Sequence, residues 1–299
     1  MSNCPKSTLR IITGTIIGLI ALGCMIFGGL PLLFLILIIV YLCSKEYVDI
    51  LKHKGFYPSM KVILFADAVF AIIAYFNKFN LVPVAFTIGT ISAFMWVLFR
   101  GRQPYIANAA TTILGFVYSG WFPLHLLFLR DIGASNQSFM QLLLKTDNVF
   151  NDGLGYVLFM FFLVILTDVG CYYFGSNLGK HKLAPVISPN KTIEGSLGGA
   201  LCAVLGGFVI AYIIKLSWYH ALFAGLLVTV CAQIGDLCES LIKRDAGVKD
   251  SGDLLPGHGG FLDRTDSYII TIPVIYYYFA FFVQGNLVET VINFVKGLF

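Results

Sequence analysis

Charged side chains are scarce in this chain: they make up 12% of its 299 residues, and the mean hydropathy is +0.84. A surface so poor in charge cannot be solvated all round, which excludes an ordinary soluble domain. None of the seven cysteines forms a C-x-x-C pair, and most lie inside apolar runs, so they read as small buried hydrophobes and give no disulfide framework. Cys231 and Cys238 share a helix face, but two lone thiols do not make a metal site. The dyad alternation of barrel strands is missing too, as are low-complexity tracts and clear repeats. What remains is an all-α, polytopic integral membrane protein.

The apolar runs are each close to the ~20 residues that a helix needs to cross a hydrocarbon core of about 30 Å. They place spans at about 9 to 28, 30 to 51, 61 to 77, 79 to 99, 106 to 129, 154 to 175, 195 to 214, 219 to 240 and 266 to 284, about nine transmembrane helices. The first two are parted only by Gly28, Gly29 and the helix-starting Pro31. Ala21-Leu22-Gly23-Cys24 has the look of a lipoprotein cleavage box, but the apolar run continues past it, whereas a lipoprotein would turn polar. With nine spans, three quarters of the 20 Lys and Arg residues fall on the side of the N-terminus, which predicts a cytoplasmic N-terminus. The expected organisation is an N-terminal bundle of about five helices over 1–130, an extracytoplasmic interfacial connector over 131–153, a catalytic transmembrane region with two cytoplasmic loops over 154–284, and a short amphipathic tail over 285–299.

Polar chemistry concentrates where it is least expected, between two apolar runs. From Ser240 to Asp266 the chain carries four cationic side chains, a His and five Gly among its aspartates. Just upstream, Asp236, Glu239, Ser240 and Lys243 recur at helical spacing and so share one face. A carboxylate inside a span costs on the order of 2.5 to 3.5 kcal/mol, so Asp236 must face a polar cavity or a cation; a structural ion pair with Lys243 or Arg244 is the plainer alternative. In the following loop, Gly252, Gly257, Gly259 and Gly260 let backbone N–H groups approach phosphate oxygens, with Lys243, Arg244, Lys249 and Arg264 supplying positive charge. Carboxylates clustered beside such cations suit an oxygen-ligated Mg2+ bridging to phosphates, with Asp236 and Asp263 as the best pair and Glu239 and Asp266 beside them.

A second constellation follows the sixth span. Asp168 lies within that span, Ser188-Pro189 has the pattern of an N-cap followed by proline at the first helical position, and Lys191 and Glu194 sit in the turn opening the seventh span. Such a helix end can meet an anion, and equally can be plain capping with a helix-edge ion pair. Asp67, in the third span, is read as a structural hydrogen bond or a catalytic part with neither preferred.

These residues resemble a known family. The run Ser240-x-Ile242-Lys243-Arg244-x4-Lys249-Asp250-x-Gly252-x2-Leu255-Pro256-x-His258-Gly259-Gly260-Phe261-x-Asp263-Arg264-Thr265-Asp266 fits the signature of phosphatidate cytidylyltransferases, also called CDP-diacylglycerol synthases. Ser188-Pro189-Asn190-Lys191-Thr192-Ile193-Glu194-Gly195, Gly235-Asp236-Leu237-x-Glu239-Ser240 and Asp168-x-Gly170-x-Tyr172 are similar to further elements of that family. Before about residue 150 the resemblance rests on hydropathy and on Glu46-Tyr47.

The resemblance implies that CTP and phosphatidic acid give CDP-diacylglycerol and pyrophosphate, with a lipid phosphate oxygen attacking the α-phosphorus. It also implies Mg2+ and a second cation, such as K+, on Asp236 and Asp263, with Glu239 and Asp266 in the metal set. Lys191, Lys243, Arg244, Lys249 and Arg264 are assigned to phosphates, with Ser188, Glu194, Ser240, Gly259 and Gly260 lining the substrate site. His258 either orients or protonates the pyrophosphate or braces the loop. The expected partners are CTP, phosphatidic acid and membrane lipid, not nucleic acid, and the resemblance suggests a homodimer. The expected place is the cell (inner or plasma) membrane, multi-pass, with the active site on the cytoplasmic side. A CTP-dependent lipid kinase and an ion-coupled transporter are the rival readings; the D-G-x2-A-R pattern of CDP-alcohol phosphotransferases is absent.

Overall fold

Backbone N–H and C=O groups find no partner in hydrocarbon, so apolar runs of this length can only close their hydrogen bonds internally, as helices. A computed structural model describes residues 6–134, 151–252 and 259–285, with side chains from residue 14 onward. Labelled in chain order among these residues, the helices are α1 (Lys6–Phe27), α2 (Gly29–His53), α3 (Met60–Tyr75), α4 (Val82–Arg100), α5 (Tyr105–Gly115), α6 (Phe122–Arg130), α7 (Asp152–Leu178), α8 (Ile193–Ile214), α9 (Trp218–Asp245) and α10 (Leu262–Tyr278). A π-helical turn, Phe116–Trp121, joins α5 to α6. A two-stranded antiparallel hairpin, β1 (Lys182–Ala184) and β2 (Ser188–Thr192), stands between α7 and α8, with Lys182 opposite Thr192 and Ala184 opposite Ser188. The protein is an all-α, polytopic membrane protein.

Seven helical stretches among the described residues are long and apolar enough to cross a membrane: Gly29–His53, Phe79–Arg100, Tyr105–Arg130, Asp152–Leu178, Ile193–Ile214, Trp218–Asp245 and Leu262–Gln284. The apolar part of α1, Gly14–Phe27, is shorter. Helix α3 has 16 residues, about 24 Å at 1.5 Å per residue. Of the connector expected over 131–153, residues 135–150 lie outside the described residues, as does the expected tail beyond residue 285.

Local chemistry sets the helix ends. Ser59 Oγ accepts from Val62 N, and Asn151 Oδ1 accepts from Leu154 N at 3.0 Å, each satisfying a free amide of the first turn. The break between α1 and α2 uses positive φ at Gly28 (65°) and Gly29 (51°), a conformation that costs glycine nothing. The expected cap at Ser188 is corrected. Ser188-Pro189 begins strand β2, and the cap of α8 is Thr192, whose Oγ1 accepts from Gly195 N at 3.2 Å. Proline tolerates the start of an exposed strand as readily as the start of a helix, so Ser-Pro alone does not separate the two.

The most extensive helix contact is α7 with α8, followed by α9 with α10. The small residues of α8 make the first possible: a Cβ at Gly199 would lie 2.4 Å from Cys171 Sγ, and one at Gly198 would lie 2.3 Å from the Phe174 ring. Those glycines are therefore engaged within the protomer. The large side chains of the opposite face of α8, including Leu201, Leu205 and Val209, point outward.

Buried polar bonds tie the helices of the first half together. Ser44 Oγ donates to Asp67 Oδ2 at 3.3 Å and meets Ser119 Oγ at 2.9 Å, which gives Asp67 a structural hydrogen bond linking α2, α3 and the π-helical turn. Arg130 is buried at the end of α6, where Nε donates to Met25 O at 2.8 Å, Nη2 to Ile26 O at 3.0 Å, and Nη1 to Asn151 Oδ1. One guanidinium thus closes the last turn of α1 onto the start of α7. Arg130→Met is expected to destabilise the fold by about 2 to 3 kcal/mol, the cost of removing charge-assisted bonds from buried carbonyls. Thermal unfolding in detergent measures it, and an unchanged melting temperature would contradict the clamp.

Candidate active site

The polar residues gather at one end of α9 and α10. Helix α9 runs past its apolar part as far as Asp245, carrying Asp236, Glu239, Ser240 and Lys243 on the expected single face. Ser240 Oγ donates to Asp236 Oδ1 at 3.4 Å, and Lys243 contacts Glu239 one turn away on the same helix. The Lys243 ammonium also contacts Asp263 at the start of α10. Glu239 has no accessible surface and Lys243 is 8% exposed, so this triad is a buried one.

Asp263 is held from the other side by the loop. Its Oδ2 accepts from Ser251 N at 3.1 Å and from Gly260 N at 3.2 Å. The turn is tight: a Cβ on Gly260 would stand 1.7 Å from Ser251 Oγ, so no larger residue fits. Gly259 has a φ of 84°. His258 lies outside the described residues, as do 253–257.

The Lys191 ammonium, reaching from β2, pairs with Asp236 Oδ2 at 2.7 Å. The structural pair for Asp236 is therefore a residue of the second constellation, not Lys243 or Arg244 as the single-helix reading allowed. Asp168 of α7 and Asp266 of α10 lie within electrostatic range of Asp236 and of each other. Carboxylates from three helices thus gather around Asp236, with Lys191 beside Asp236 and Asp168, and Lys243 within range of Asp266.

Other expected site residues have different company. Glu194 turns away from Lys191 and accepts from the backbone of Lys180 at 3.0 Å and of His181 at 3.2 Å, with His181 Nδ1 at 2.6 Å. Its carboxylate fixes the base of the hairpin. Ser188 starts β2 opposite Ala184, on the same hairpin. Arg244 is exposed and donates to Val248 O at 3.1 Å and to Ile187 O at 3.4 Å, bracing the loop against the hairpin. Lys249 is exposed on the loop, and Arg264 is exposed on α10.

Glu46 is the residue that motif reading nearly missed. It comes from α2, far away in sequence, and is 3% exposed. Its Oε1 accepts from Phe261 N at 2.9 Å; its Oε2 accepts from Leu262 N at 2.7 Å and from Ser251 Oγ at 2.9 Å. A carboxylate on the free amides at the start of α10 satisfies them and complements the helix dipole. The signal in the sequence was an acidic residue within the apolar run of α2, a position that needs internal partners. Cys43 of the same helix reaches Thr265 Oγ1 at 3.2 Å.

The donor set suits a hard cation. Asp168, Asp236, Glu239, Asp263 and Asp266 outnumber Lys191 and Lys243, and all their donors are oxygen. Among the described residues no three His, Cys, Asp or Glu side chains converge closely enough to hold a metal in this arrangement, in which the two ammonium groups stand between the carboxylates.

A family model described as the cytidylyltransferase family matches residues 8–282. The chain belongs to that family. It is 35% identical over 283 residues to a protein of Synechocystis sp. named phosphatidate cytidylyltransferase, a match covering 91% of this chain and 96% of the relative. It is 49% identical over 127 residues to a protein of the same name from Staphylococcus haemolyticus, covering 42% of this chain and 49% of that one. A relative of that name from Staphylococcus aureus is 48% identical over 127 residues, again 42% of this chain and 49% of the relative. In the two staphylococcal cases the match spans about half of the relative's length.

The Glu46 contacts yield a direct test. Glu46→Gln presents an NH2 where one of three donors needs an acceptor, leaving a buried donor unpaired at a cost of about 1 to 3 kcal/mol. The variant is expected to melt lower and to lose protection of the Phe261 and Leu262 amides in hydrogen exchange. Unchanged protection would mean that Glu46 does not hold the start of α10.

Proposed function

We propose that the chain transfers the cytidylyl group of CTP to phosphatidic acid, releasing CDP-diacylglycerol and pyrophosphate. The observation that carries this reading is the buried Glu239–Lys243–Asp263 triad beside the Lys191–Asp236 pair, at the edge of an apolar bundle and flanked by a glycine-rich, cationic loop. A lipid phosphate and a nucleotide triphosphate are both anions, and their encounter needs fixed positive charge. The names of the relatives agree with that chemistry.

In the reaction, an oxygen of the phosphatidate phosphate forms a bond to the α-phosphorus of CTP. The bond from that phosphorus to the oxygen bridging to the β-phosphate breaks, and pyrophosphate departs with the electron pair. No protein nucleophile is required. In this reading Lys191 and Lys243 would meet phosphate oxygens from the floor of the site, and Arg244, Lys249 and Arg264 from its rim. Ser240, Gly259 and Gly260 line the approach, while Glu194 and Ser188 act by fixing the hairpin that carries Lys191. His258 would meet the pyrophosphate from the loop.

Mg2+ would be held by Asp236 and Asp263, with Glu239 and Asp266 beside them and a second cation such as K+ sharing the set. When bound, it supplies neutralisation of the phosphate charge. In the same reading the chain makes nine crossings of the cell membrane with a cytoplasmic N-terminus, the active site faces the cytoplasm, and two copies form a homodimer.

Asp236→Asn and Asp263→Asn, purified in detergent and shown to be folded, are each expected to lose Mg2+-dependent pyrophosphate release from CTP and phosphatidate by a factor of roughly 100 or more, as for groups acting on transferring phosphates. Activity retained in both variants would remove the metal assignment. CDP in place of pyrophosphate as the product would instead identify a lipid kinase.

A further inference from the structure

A chamber of about 570 Å³ is lined by α1, α2, α6, α7 and α10. Its volume falls within the range of about 300 to 1,000 Å³ typical of small-molecule sites. The wall is graded. At the end next to the catalytic loop it presents Arg264, Thr265 and Tyr268; deeper, α10 contributes Ile269 and Ile272. On the facing side, α1 contributes Gly14, Gly18 and Ala21 and closes the floor with Met25.

The depth is informative. From Phe261 to Ile272 along α10, and from Gly14 to Met25 along α1, the wall runs roughly 16 Å at 1.5 Å per residue. That equals about half of a 30 Å hydrocarbon core, the depth of one leaflet. The chamber borders the polar end of α10, because Phe261 and Arg264, which line it, flank Asp263, the partner of Lys243. Water would find few polar partners below Tyr268, so the deep end suits hydrocarbon.

From this we infer that the chamber seats an acyl chain of the phosphatidate, with Arg264 at its mouth toward the lipid phosphate, and that Gly18 sets how long a chain it accepts. The inference rests on the proposed reaction and deepens it. An ideal Cβ at Gly18 meets nothing within 4 Å, so a side chain there grows into the chamber instead of displacing a neighbour.

The test compares dioctanoyl with dioleoyl phosphatidate in the full-length protein in detergent, following pyrophosphate release. Gly18→Leu is expected to keep the wild-type melting temperature, the KM for CTP and turnover of the dioctanoyl lipid. Its use of the dioleoyl lipid should fall on the order of tenfold, the scale on which a few methylenes are discriminated in an apolar pocket. Gly18→Ala, which also favours the helix, should shift the ratio the same way by less. An unchanged ratio in both folded variants overturns the chamber's role while leaving the proposed reaction standing. Absence of pyrophosphate release by the wild-type protein with either lipid overturns the proposed reaction itself. In that case retention of dioleoyl phosphatidate, measured by native mass spectrometry on wild-type and Gly18→Leu protein, still decides the chamber: equal retention by the two proteins rejects it.

Discussion

The Lys243 ammonium, fixed between the carboxylates of Glu239 and Asp263, is the interaction on which the polar end of the molecule depends. Glu239 sits wholly inside the bundle, and an uncompensated charge there would cost several kcal/mol. The same ammonium joins α9 directly to the start of α10, so charge compensation and helix registry are one requirement. Once Asp263 is in place, its second oxygen orders the loop through Ser251 and Gly260. The loop geometry is thus a consequence of the buried ion triad, not an independent feature of a glycine-rich segment.

The N-terminal bundle contributes to this end through α2. Glu46 gathers Ser251, Phe261 and Leu262 on one carboxylate, and Cys43 reaches Thr265 one turn earlier. Ser44, between them, turns the other way and joins Asp67 and Ser119. A single stretch of α2 therefore bonds both to Ser251 and the start of α10 and to the helices behind it. Hydrogen bonds of this kind hold position where apolar contact cannot, because lipid competes for apolar surface but not for a buried donor.

Much of this could be read before any coordinates, and the reasons for what could not are specific. Helix type and the shared face of Asp236, Glu239, Ser240 and Lys243 follow from length, hydropathy and a spacing of three and four. Whether α3, with 16 residues, and the apolar part of α1 cross as the longer helices do is not fixed by periodicity. Ser188-Pro189 was read as a cap because the dipeptide satisfies the rule for a helix start, yet pairing with Lys182–Ala184, a tertiary event, takes it into a strand. The partner of Asp236 came from β2 instead of its own helix, and Glu46 acts across more than two hundred residues. Local spacing identifies which side chains need partners; it does not choose among partners brought by other elements.

The charges are layered in a way that bears on substrate order. The floor, where Asp236 pairs with Lys191 and Asp168 and Asp266 lie within electrostatic range of Asp236, carries more carboxylates than ammonium groups. The rim, with Arg244, Lys249 and Arg264 exposed, is cationic. A polyphosphate is drawn to the rim but repelled from an acidic floor until a cation offsets that charge. In the proposed reaction, charge compensation at the floor would be a condition for the nucleotide to reach Lys191, which pairs with the helix that also carries Lys243. In that reading the carboxylates would limit the depth to which phosphate penetrates until a cation offsets them, in addition to serving as ligands.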